Sequence, residues 1–194
     1  HTHYLKILFM QQYSIMSQSK FQKVITQIKL LVSDVDGVLT DGKILISSNS
    51  EESKFFNVED GTGAAIARYA NLPIALISGR YSKSTSIRAK ELQINHCYQD
   101  TLNKTKVLHE LMEIYSVSYN EIAYIGDSLV DIPVMELVAL PITVPNAHEM
   151  NKKIALYTTT KCGGEGVLFE VVEKILIYQN KYHDILDKMK KDKF

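Results

Sequence analysis

Apolar runs of strand length alternate along most of the chain with segments of helical periodicity. Leu30–Val35 reads as a buried strand, as do Pro73–Ile77, Ile122–Ile125 and Ala139–Val144, with shorter strands at His96–Tyr98 and Ala155–Thr158. Lys43–Ile46 and Lys54–Val58 flank Ser47-Ser48-Asn49-Ser50 and predict a hairpin. Helices are predicted over Gly61–Leu72 with Asp60 as its cap, Ser82–Leu92, Asn103–Tyr115, Leu129–Leu137 and Gly166–Tyr178. The basic tail is expected to continue that last helix. Asn103–Tyr115 carries Val107, Leu108, Leu111, Met112 and Ile114 at helical spacing. Strand, hairpin, then repeated helix and strand is the signature of an α/β fold, a doubly wound parallel sheet with helices on both faces.

Length and charge narrow the classes. The 194 residues suit one domain with a real core. Lys+Arg and Asp+Glu both number 22, so there is no basic excess for nucleic acid. Any phosphate chemistry must come from local placement of charge. The two cysteines, Cys97 and Cys162, make no disulfide framework and no zinc pair, which predicts a reducing, cytoplasmic setting. The longest apolar stretch, Ile132–Val144, is broken by Pro133, Glu136 and Pro141, so no membrane span is expected. Ile7–Met10 is too short for a signal-peptide core, and His1-Thr2-His3 is expected to stand outside the fold.

In an open parallel sheet, ligands sit beyond the carboxyl ends of the strands. The first strand ends in Asp34-Val35-Asp36-Gly37, the next core strand in Ser78-Gly79-Arg80, and another in Gly126-Asp127-Ser128 with Asp131 one turn on. Lys104 opens a long helix. Each piece alone has a bland reading: a solvated turn, a helix cap, a surface lysine. Their joint placement at successive strand ends does not. Carboxylates without thiolates select a hard cation, Mg²⁺. With its charge and that of Lys104 in place, Asp34 can attack phosphorus and form an aspartyl-phosphate, while Asp36 moves the protons.

These strings resemble the haloacid dehalogenase superfamily of phosphohydrolases. More narrowly, Asp34–Gly42 (DVDGVLTDG), Val58–Gly63 (VEDGTG), Arg88–Leu92 (RAKEL), Ala123–Asp127 (AYIGD), Pro133-Val134-Met135 and Gly163–Gly166 (GGEG) resemble the 3-deoxy-D-manno-octulosonate 8-phosphate phosphatases of lipopolysaccharide precursor biosynthesis. The resemblance covers about Lys29–Leu176 and implies a Rossmann-like core. It implies that Asp34 is nucleophile and metal ligand, and that Asp36 gives its backbone carbonyl to Mg²⁺ and its side chain to acid/base work. Asp127 completes the protein ligands, with Asp131 and Ser128 behind them. Ser78 and Lys104 hold phosphoryl oxygens, and Gly79 and Arg80 meet the substrate. Ser128, Glu59 and Phe169 depart from the family pattern, which usually has Asp, a basic or polar residue, and Arg there.

Only 42 positions separate Asp36 from Ser78, and 26 separate Ser78 from Lys104, so neither gap holds a separate cap domain. The hairpin flap is expected to cover a neighbouring subunit's site, because Ile44, Leu45, Ile46, Phe55 and Phe56 need burial. The resemblance implies a homotetramer built this way. The expected division is an N-terminal extension (1–28), a capless phosphatase domain (29–178) and a C-terminal helical tail (179–194). Two other readings stay open: a phosphatase of sialic-type nine-carbon 2-keto acid 9-phosphates, and a non-catalytic oligomerisation module like the tail of CMP-N-acylneuraminate synthetases. A phospho-accepting receiver domain shares an Asp and a Lys on a similar sheet, but gives no reason for Asp36, the hairpin or Gly163–Gly166.

Overall fold

The computed structural model describes residues 18–192. Ile7–Met10, His1–His3 and the last two residues lie outside them. Six parallel strands form one sheet in the order β5-β4-β1-β6-β7-β8. They are β1 (Leu30–Ser33), β4 (Ile74–Ile77), β5 (His96–Tyr98), β6 (Ile122–Ile125), β7 (Leu140–Thr143) and β8 (Tyr157–Thr158). A separate antiparallel pair, β2 (Leu45–Ile46) and β3 (Glu52–Ser53), makes the hairpin. This is the expected Rossmann-like arrangement.

The side-chain alternation of a strand fills two cores at once. Leu31, Leu76, Ala123, Ile125 and Ile142 face one layer, which includes a helical stretch over residues 18–25 (α1), α2 (Glu59–Tyr69) and α7 (Val167–Tyr178). Leu30, Val32, Ala75, Ile77 and Tyr124 face the other, formed by α4 (Lys104–Tyr115) and α5 (Ile132–Met135). Because both faces are covered, the strands read as continuous apolar runs rather than alternating ones. The helix α3 (Lys83–Glu91) links β4 to β5, and α6 (Glu149–Ile154) links β7 to β8. Phe21, Ile25 and Ile28, which precede residue 29, are buried in the first core.

Four expectations are corrected. The second hairpin arm is Glu52–Ser53, not Lys54–Val58, and Leu45, Ile46 and Phe55 are 61%, 65% and 78% exposed in the single chain. Phe56 alone of the arm aromatics packs on the core. The helix expected over Leu129–Leu137 is a 3-10 turn at Leu129–Asp131 followed by the single turn of α5, with Pro133 at its start. The tail does not continue α7. Asn180 takes a left-handed φ of 55°, and a separate α8 (Tyr182–Lys191) folds back so that Met189 is buried.

Asp60 caps a different helix from the one expected. It lies inside α2, buried, and its Oδ1 accepts the backbone N–H of Leu168 at 3.0 Å, satisfying the amino end of α7. Burial raises its carboxyl to about 6 despite those N–H donors.

Candidate active site

The winding of the sheet reverses at β1. From there the chain builds outward through β4 and β5, then returns to the other side for β6, β7 and β8. The carboxyl ends of β4, β1 and β6 therefore open on one crevice. Asp34 follows β1 and continues its ladder, its N–H donating to the Ile125 carbonyl at 2.9 Å. Ser78 follows β4, held by its N–H to the Tyr98 carbonyl at 2.8 Å. Asp127 follows β6 after Gly126, whose carbonyl accepts the Thr143 hydroxyl at 2.6 Å.

After Asp34 the chain turns tightly, with Leu39 N–H donating to the Val35 carbonyl at 2.9 Å. Gly37 stands in this turn at φ +89°, and any Cβ there would collide with the Asp127 carboxylate. Gly163 is pressed against the Gly37 and Thr40 carbonyls with no space for a side chain. The Gly163–Gly166 loop thus braces the Asp34 turn from behind, and Asn57 ties it to the flap through its amide on the Gly164 carbonyl at 3.2 Å.

Lys104 is the charge at the centre. Its ammonium lies 3.0 Å from Asp34 Oδ1 and 2.7 Å from Asp131 Oδ1 and is buried with them. Burial opposes its charge, but the two carboxylates more than offset this and its pKa is raised. Asp131 has no oxygen to spare. Oδ1 also accepts the Tyr124 hydroxyl at 2.6 Å, and Oδ2 accepts the N–H of Asp127 and Ser128 at 3.1 and 3.0 Å and the Ser128 hydroxyl at 3.0 Å. It orients Lys104 and the Asp127 loop.

Oxygens of Asp34, Asp127 and Asp131 lie within 4.8 Å of one another. With Asp131 saturated, Asp34 and Asp127 are the carboxylates available to a cation. Asp127 Oδ1 is buried with no hydrogen-bond partner. Burial, then repulsion from Asp131, raises Asp34 to about 8 and Asp127 to about 7, with Lys104 offsetting only part. An all-oxygen donor set that resists ionisation when empty of charge fits a hard divalent cation.

Asp36 finds its partner outside this cluster. Its Oδ1 lies 2.7 Å from the ammonium of Lys54, whose side chain is fully buried. Lys54 also lies 3.6 Å from Glu52, and Glu52 takes the Arg80 guanidinium, Nε at 3.0 Å and Nη2 at 2.5 Å. So Arg80 is held by the flap at the crevice edge, and Ser78 Oγ donates to the Arg80 carbonyl at 2.9 Å. Gly79 lies beside Leu102 and the Thr101 carbonyl. Lys54 and Glu52 are functional candidates that the sequence pattern hides, since charges in a hairpin read as solvated. Of the departures, Ser128 is taken up by Asp131, and Glu59 pairs with Lys161, whose ammonium sits 5.5 Å from the centre of the Phe169 ring.

Residues 73–171 match the model of the haloacid dehalogenase-like hydrolase family. The chain is 42% identical over 154 residues to the 3-deoxy-D-manno-octulosonate 8-phosphate phosphatase of Salmonella typhi, covering 79% of this chain and 82% of that one. It belongs to this phosphatase family within the haloacid dehalogenase-like hydrolases. Among solved structures it is similar to the Yersinia pestis 3-deoxy-D-manno-octulosonate 8-phosphate phosphatase, at TM-score 0.83 and 38% identity over 84% of this chain and 89% of that one. The Moraxella catarrhalis phosphatase, solved with magnesium, phosphate and a KDO molecule, aligns at TM-score 0.83 and 36% identity, covering 87% and 97%.

Proposed function

We propose that this chain hydrolyses 3-deoxy-D-manno-octulosonate 8-phosphate to the free sugar and phosphate with Mg²⁺. The observation that carries the reading is the meeting of Asp34, Lys104 and Asp127 at one crevice in a chain 42% identical to such phosphatases. Asp34 and Asp127 would hold the cation with the Asp36 carbonyl. Bound Mg²⁺ supplies the positive charge that lets the Asp34 carboxylate meet an anionic phosphoryl group.

Asp34 attacks phosphorus; the new O–P bond forms as the bond to the sugar oxygen breaks. Asp36 gives its proton to that oxygen. Water then attacks the aspartyl-phosphate, Asp36 takes the water proton, and phosphate leaves. Ser78 and Lys104 hold the phosphoryl oxygens throughout, while Arg80 meets the substrate beside Gly79. All of these residues fall within 29–178, so that span is read as the catalytic domain, while Phe21, Ile25, Ile28 and Met189 on either side of it pack on its core.

The test is phosphate release from the octulosonate 8-phosphate with Mg²⁺ and with chelator, beside sialic-type 9-phosphates. Release from the 8-phosphate that chelator removes is expected. Release from a 9-phosphate alone moves the reading to sialic-type sugars, and no release from either supports a structural module.

The open crevice needs a cover, and the flap has no cover of its own. Leu45 and Ile46, both exposed, make up one two-residue strand of a hairpin too short to be stable alone. We read the flap as packing on a neighbour in a homotetramer. Light scattering is expected to give a tetramer mass that falls when Leu45 and Ile46 are both replaced by Lys; a monomeric parent chain overturns this. Among the described residues no helix is long and apolar enough to cross a membrane. The half-buried free thiols Cys97 and Cys162 fit a cytoplasmic enzyme.

A further inference from the structure

The hairpin carries a lysine that a surface ribbon has no use for. Lys54 follows directly on β3, yet its side chain is 0% exposed. A buried ammonium is costly unless charge partners and hydrogen bonds surround it. Here Asp36 Oδ1 lies at 2.7 Å, Glu52 Oε1 at 3.6 Å and the Thr85 hydroxyl at 3.4 Å. These partners come from three places: the turn after β1, the hairpin itself and α3. Ser84 of α3 adds a hydroxyl bond to the Glu52 carbonyl at 3.1 Å. The flap is tied to the domain through α3, Arg80 and Asp36, and only the tie to Asp36 reaches a residue of the reaction.

We propose that Lys54 is a positioning residue that seats the Asp36 carboxyl at the leaving oxygen, so that a flap residue aims the acid. The proposal rests on Asp36 as general acid and goes beyond it by assigning what aims that acid. The ion pair with Lys54 is what holds Oδ1 of Asp36, a buried oxygen with no hydrogen-bond partner. Without Lys54 the carboxyl is free to rotate away from the leaving oxygen, and about an ångström of misplacement costs on the order of 100-fold.

The chemistry separates this role from a merely structural one. A sugar alkoxide is a poor leaving group and needs the proton; p-nitrophenolate leaves without one. In the full chain with saturating Mg²⁺, Lys54→Met is expected to lower kcat/KM for the octulosonate 8-phosphate by about tenfold or more, chiefly through kcat. For p-nitrophenyl phosphate the loss is expected to stay within about threefold. Lys54→Gln, close in length and still a donor, is expected to show the same selectivity at smaller size. It carries the test if the Met variant does not fold by circular dichroism.

Asp36→Asn supplies the second arm. Adding a Lys54 change to it is expected to cost little more, because both act through one carboxyl. Equal losses on the two substrates, a change confined to KM, or additive losses in the double variant overturn the positioning role. An Asp36→Asn variant with no selectivity between the substrates instead overturns the acid assignment on which it rests.

Discussion

Asp34→Asn is expected to reduce phosphate release on the order of 10⁴-fold or more, with the fold intact. The substitution removes the attacking oxygen but little else. Asn keeps an oxygen where Oδ1 now accepts the Val35 N–H at 2.7 Å and faces the Lys104 ammonium at 3.0 Å. It also removes a buried charge whose ionisation is resisted, since burial and Asp131 hold the Asp34 carboxyl up near 8. A group raised above its unfolded value contributes stability that is lost as pH rises through the folded value. Above about pH 8 the metal-free variant should therefore melt no lower than the parent chain, and higher if the charge dominates. Phosphate release and thermal unfolding on the same samples check both halves. Turnover within about tenfold of the parent would sink the aspartyl-phosphate step. Lost turnover with a collapsed melting curve would make Asp34 structural instead.

Much of this site was legible in the sequence for a physical reason. A parallel sheet buried on both faces leaves unbroken apolar runs, so β1, β4 and β6 announce themselves, and the polar residues that end them mark the crevice. Lys104 could be placed because an amphipathic helix follows it, although its burial between two carboxylates could not. The errors cluster where tertiary contacts override local pattern. Phe55, Phe56 and Val58 look like a strand arm, yet the pairing falls two residues earlier, at Glu52–Ser53, where α3 and Arg80 grip the chain. Asp60 has the right type for a cap but serves α7, more than a hundred residues away. Lys54 and Glu52 carried no signal at all, because a buried lysine differs from a solvated one only through partners that sequence spacing does not bring together. Local pattern finds the elements; charges between elements are read only from their contacts.

Mg²⁺ is expected to raise the melting temperature, and to do so more near pH 8.5 than near pH 5.5. Without the cation, burial and the nearby Asp131 lift Asp34 to about 8 and Asp127 to about 7. Both lie well above the value of about 3.9 that an aspartate has in the unfolded chain. Between those limits the folded state keeps protons that the unfolded state gives up, so metal-free stability falls as pH rises from about 4 through 8. The cation binds the ionised folded site and not the unfolded chain, so it restores what ionisation removes, while protons compete with it in acid. At about 100 times its Kd it contributes roughly 2.7 kcal/mol. For a chain of this size that is a rise of about 5–10 °C. Asp127→Asn should abolish most of the shift, since it removes the carboxylate whose Oδ1 has no other partner. Ser128→Ala should leave most of it, because the Ser128 hydroxyl is already given to Asp131. Thermal unfolding with Mg²⁺ and with chelator at the two pH values decides the matter. A shift as large in acid as in base, or one that survives Asp127→Asn, would mean that the cation sits elsewhere than between Asp34 and Asp127.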